Sequence, residues 1–118
     1  MTTIKSYTDI SQSKKLAEIL PLESADMGYL WNGASFCGYP VSNQTIFKRV
    51  ENIPCWSLAS LLAVLPNGTD IVKDEADTEN EHYMCTIGIK DDIISTFGKN
   101  PIDACVDMIE KLHELNLL

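Results

Sequence analysis

The chain has 118 residues, 45% of them hydrophobic and 22% charged. That is one domain's worth of ordinary globular composition, without the apolar run of a bilayer span or the polarity of a disordered tail. Nine Lys plus Arg against 17 Asp plus Glu leave a net charge of −8. An acidic surface repels phosphate, so neither direct nucleic-acid binding nor a membrane-surface role is expected.

A chain of this size buries about 65% of its unfolded surface, enough to fold without staples. Cys37, Cys55, Cys85 and Cys105 stand far apart, with no CxxC pair, so zinc-ribbon and thioredoxin patterns are missing. The opening MTTIKSYTDI lacks the apolar stretch of a secretion signal. These features predict a cytoplasmic single domain over 1–118 whose cysteines are reduced and behave as small hydrophobes.

Asp9, followed three residues later by Gln12, predicts a capped helix that Pro21 stops near Ile19 or Leu20. Ile10, Leu16, Ala17 and Leu20 would form its apolar stripe. Residues 25–31 read as a short strand. Residues 32–53 are punctuated by Gly33, Gly38, Pro40, Asn43 and Asn52, and read as an ordered loop with a brief strand. Loops of that length are often functional.

Pro54 fits the first position of a helix over 54–65, PCWSLASLLAVL, apolar nearly all round. Such a helix is either central to the core or covered by another copy of the chain. Residues 69–73 and 82–90 predict a hairpin, and 93–97 a third strand after an Asp91-Asp92 turn. In the second strand Tyr83, Cys85 and Ile87 share one face, and Met84, Thr86 and Gly88 the other. Asn100 as cap and Pro101 at the first position predict a final amphipathic helix, with Ile102, Cys105, Val106, Ile109, Leu112, His113 and Leu115 inward. The sum is an α+β fold: three helices packed on a small, mainly antiparallel sheet of three or four strands.

The stretches SYTDISQSKKLAEILPLESADM (6–27), CWSLASLLAVLPNG (55–68) and NPIDACVDMIEKLHELNLL (100–118) resemble a family of small proteins of anaerobic gut bacteria and their phages or mobile elements. The resemblance covers about half the chain, over caps and core positions. It implies an origin and a rough fold, and no reaction. Members of that family often carry a small residue such as Ala where this chain has Cys55.

Two function classes follow. The first is a non-enzymatic interaction protein, an accessory of a phage or mobile element that binds a host protein. Its contact surface would combine the aromatics of the irregular segment, Tyr29, Trp31, Phe36, Tyr39 and Phe47, with the acidic hairpin tip, Asp74, Glu75, Asp77, Glu79 and Glu81. The second is a small papain-like cysteine hydrolase. Cys55 in a helix's first turn would be the nucleophile, His82 the base, and Asp92 or its neighbour Asp91 the orienter, because a helix N-terminus favours the thiolate. The acidic run lacks the alternation and glycine of a calcium loop, and His113 with Cys105 supplies too few ligands for a metal. No metal or cofactor is expected.

Overall fold

The computed structural model describes residues 5–42, 51–74 and 82–118. Helix α1 (Ile10–Ile19) begins as its sequence dictates. The Asp9 carboxylate accepts from the Gln12 amide at 2.7 Å, and the Gln12 side chain accepts from the Asp9 amide at 3.1 Å. This reciprocal cap satisfies two of the amides that a helix start leaves unpaired. Leu16 and Leu20 are buried as expected, but Ala17 faces solvent, and Ser13 takes a place on the inner stripe.

Strand β1 (Met27–Tyr29) pairs antiparallel with β2 (Ile53–Cys55), in register Met27 with Cys55, Gly28 with Pro54, and Tyr29 with Ile53. The expected helix over 54–65 therefore needs correction. Its first residues are strand, and helix α2 spans only Leu58–Val64, capped by Ser57. Pro54 is compatible with β2 because Gly28 directs both its amide and its carbonyl to Val41, at 2.9 Å each. The Gly28–Pro54 pair is then a non-hydrogen-bonded one, and no ladder donor is lost. Shortening the helix also resolves its apolar circumference. Trp56 is fully buried ahead of it, Leu61 is buried on its inner side, and Ala59, Leu62 and Ala63 face outward.

Strands β3 (Asp70–Asp74), β4 (His82–Ile89) and β5 (Asp92–Gly98) form the second sheet, antiparallel in the order β3-β4-β5. Among the described residues β3 and β5 each keep one edge unpaired. The β4–β5 turn is Lys90-Asp91, one residue earlier than the sequence suggests. Lys90 takes a φ of 56°, the left-handed conformation that such two-residue connections demand. Asp92 is the first residue of β5, opposite Ile89.

Helix α3 (Pro101–Glu114) is the centre of the molecule. It packs on β4 and β5, and also touches α1 and α2. Ile102, Ala104, Cys105, Val106, Met108, Ile109 and Leu112 are all buried. At about 100° per residue that arc covers more than half the helix, whereas a helix lying on one surface shows a narrower stripe. His113 and Leu115, expected inward, are exposed. The main core joins this arc to Leu16, Trp56, Leu61, Cys85 and Ile87, while Tyr29, Ile53 and Cys55 form a second, smaller cluster. The expected α+β class with three helices holds, with the strands divided between two small antiparallel sheets.

Candidate interaction surface

The register of the larger sheet decides what it shows to solvent. Alternation puts Ile71, Tyr83, Cys85, Ile87 and Ile94 on the face toward α3, where each packs into the main core. The other face carries Val72, Met84 and Phe97 in one row across all three strands, since Val72 pairs with Met84 and Met84 with Phe97. The next row on that face is Asp70, Thr86 and Ser95, and a third brings Ile93 beside Gly88. Val72 is 50% exposed, Phe97 52% and Ile93 75%. Among the described residues no other element packs there to an extent comparable with α3 on the opposite face. An apolar row of this kind on a sheet face is the usual mark of a surface meant to be covered.

The sequence contained half of this pattern. Its alternation put Met84 with Thr86 and Gly88, but nothing in the text of the chain says which face α3 takes, or that Val72 and Phe97 flank Met84.

The aromatic residues of the expected surface fall into different environments. Trp31 is at the edge of exposure and meets Phe36 at a tilt with ring centroids 4.8 Å apart, and the Lys14 ammonium sits 6.0 Å from the Phe36 ring centroid. Tyr39 is 66% exposed. Tyr29 is not on that surface, which corrects the expectation. It is buried, its hydroxyl donates to the Thr8 carbonyl at 2.8 Å, and Tyr7 meets its ring edge-on. Burial pushes its phenol pKa up. Phe47, Glu75, Asp77, Glu79 and Glu81 lie outside the described residues, and Asp74 is the last residue of β3.

The residues of the hydrolase alternative are not assembled. Cys55 lies in a strand and not in a helix's first turn, so no helix dipole acts on it from that position. It is fully buried, donates to the Thr8 carbonyl at 3.3 Å, and lies 3.4 Å from the Thr8 hydroxyl. Burial pushes the thiol up, against the smaller opposing pull of hydrogen bonds from Thr8, Ser13 and Tyr29. That direction favours the inert thiol over the nucleophilic thiolate. His82 opens β4 in the other sheet, while Asp92 stands opposite Ile89 at the far end of that strand. At about 3.4 Å per residue, the strand keeps the imidazole and that carboxylate well beyond hydrogen-bonding reach.

Asp26 is the carboxylate with the most evident local task. It accepts from both the Ser57 amide and the Ser57 hydroxyl at the start of α2. Burial alone would raise its pKa, but these hydrogen bonds hold it below the usual value. Among the described residues no group of three or more His, Cys, Asp or Glu is placed to hold a metal ion, and no helix is long and apolar enough to cross a membrane. No family model matches the chain, and neither a curated protein nor a solved structure matches it.

Proposed function

We propose that this is a non-enzymatic interaction protein whose contact surface is the outer face of β3-β4-β5. The observation that carries this reading is the apolar row Val72–Met84–Phe97, half-buried at Met84 and exposed at both ends, with exposed Ile93 beyond it. Its occupant is a protein surface with apolar residues at its centre and Lys or Arg around them. The apolar row needs the first. The net charge of −8, with Asp70 on the same face and Asp91 at the β4–β5 turn, calls for the second. Trp31 and Tyr39 are further exposed aromatics outside this face. The resemblance of the chain's ends and central segment to proteins of gut bacteria and their phages supports an accessory role against a host protein. The buried thiol of Cys55 supports the non-enzymatic class.

The test uses the whole chain and a synthetic amphipathic Lys/Leu helix as probe. Amide chemical-shift changes should fall on β3, β4 and β5, weaken as salt is added, and vanish with Phe97→Ser. Changes confined to Trp31 and Tyr39, or no binding at low salt, would overturn the assignment. Sedimentation of the free protein adds a further arm: a dimer abolished by Ile93→Lys would mean that the face is occupied by a second copy instead.

A further inference from the structure

We propose that Cys85 and Cys105 form an oxidisable dithiol, a modification site that a hydroperoxide converts to one disulfide joining β4 to α3. Cys85 and Cys105 are both fully buried in the main core, near enough for each thiol to influence the other. Their neighbours account for the approach. Cys85 stands opposite Thr96 in the ladder, and the Thr96 hydroxyl donates to the Ala104 carbonyl at 2.8 Å. The turn of α3 that carries Cys105 is therefore seated over the rung that carries Cys85. Gly98 permits the close seating, because a Cβ there would fall 2.5 Å from the Ala104 amide nitrogen.

A disulfide needs Cβ atoms about 3.5–4.5 Å apart. Two buried side chains carried by a rung and a helix turn seated on each other reach it by χ rotations. Cys37 and Cys55 belong to the other part of the fold, where Cys37 follows β1 and Cys55 lies in β2 against Thr8.

The chemistry balances as follows. The Cys85 thiol gives up its proton, a step that the adjacent Cys105 thiol assists against the cost of burial. The sulfur attacks one peroxide oxygen, the O–O bond breaks, and an alcohol or water leaves with that proton. Cys85 is then a sulfenic acid. The Cys105 sulfur attacks it, the S–O bond breaks, the S–S bond forms, and water departs with the Cys105 proton. The thiols lose two electrons and the peroxide gains them. Burial makes the reaction slower than oxidation of the half-buried Cys37, because the oxidant arrives only through local opening.

The central measurement uses the wild-type chain. The native wild-type chain is exposed to graded hydrogen peroxide, alkylated, digested without reductant and mapped by mass spectrometry. The expected result is a peptide pair linked through Cys85 and Cys105, a loss of about 2 Da from those peptides relative to the free thiols, and an upward shift of several degrees in Tm. Cys85→Ser should abolish the linked pair, whereas Cys37→Ser should leave it. Free thiols at both positions after Cys37 is fully oxidised would overturn the proposal. So would over-oxidation of either one alone, or a disulfide that uses Cys37 or Cys55 instead.

Discussion

Lys5 donates to Asp103 at 2.8 Å, although 98 residues separate them in the chain. The carboxylate also accepts from the Gln12 amide group at 2.8 Å and the Asn100 amide group at 3.0 Å. One side chain thus ties the entry segment, α1 and the first turn of α3 together. Burial pushes Asp103 up and its donors, with the Lys5 charge, push it down; the donors win. A carboxylate lowered in the folded state stabilises the fold above its unfolded pKa, about 3.9. That contribution disappears as pH falls through the folded value. Asp103→Ala should cost about 1–2 kcal/mol at neutral pH, given the partial exposure of both partners. It should also flatten the acid limb of stability against pH, as urea melts between neutral and acid conditions would show.

The same pair has an alkaline side. Burial lowers Lys5, but its hydrogen bonds to Asp103 and Asp9 outweigh this and raise it. Its contribution is complete below the unfolded lysine pKa, about 10.4, and fades as pH climbs through the folded one. Lys5→Met should remove that alkaline dependence and leave Cys85 and Trp56 buried, which thiol accessibility and fluorescence would report.

Gly98 and Gly88 form a matched pair for substitution. At Gly98 a Cβ would meet the Ala104 amide nitrogen at 2.5 Å and the Asp103 Cβ at 2.9 Å, and most of that is backbone that cannot yield cheaply. Gly98→Ala should cost about 1–3 kcal/mol. At Gly88, on the open face of the same sheet, nothing lies within 4 Å. Gly88→Ala should be within about 0.5 kcal/mol of neutral. Chemical denaturation of both variants under one condition decides it.

Trp56 is buried against the core, and its ring N–H donates to the Ser24 hydroxyl at 2.9 Å. Ser24→Ala leaves that donor without its partner and should cost about 1–2 kcal/mol. Trp56→Phe should cost more, because ring volume goes as well. With Trp31 replaced by Phe, acrylamide should scarcely quench the remaining indole until the protein unfolds.

Thiol labelling separates the cysteines. At neutral pH an alkylating reagent should modify Cys37, the one cysteine that is not fully buried, far faster than Cys55, Cys85 and Cys105, and denaturant should remove the difference. Rapid selective labelling of Cys55 in the native protein would instead restore the hydrolase alternative.

Helix α1, the β3–β4 hairpin and helix α3 were legible in the sequence because their signals are local. Asp9 with Gln12, the alternation through 83–87, and Asn100 with Pro101 each fix a conformation through neighbouring atoms. The β2 strand was not, because Pro54 has two physical solutions. Its missing amide suits a helix start and equally a non-hydrogen-bonded strand position, and only Gly28, far away in the chain, chooses between them. The same non-local choice hid the outer row. Met84 was placed on its face by alternation, but Val72 and Phe97 join it only through register, and exposure depends on which side α3 takes. Tyr29 looked like a surface aromatic because a strand of three residues leaves no periodicity to read.

The two edges of the larger sheet that no described strand pairs also bear on how the protein must be handled. Ile93 to Phe97 offers a short β-prone ribbon that no described strand pairs on its outer side, flanked by Asp91 and Asp92 before it and Lys99 after it. Crowding such ribbons together in high salt, which screens those charges, should make concentrated stocks cloud and thicken long before dilute ones change at all.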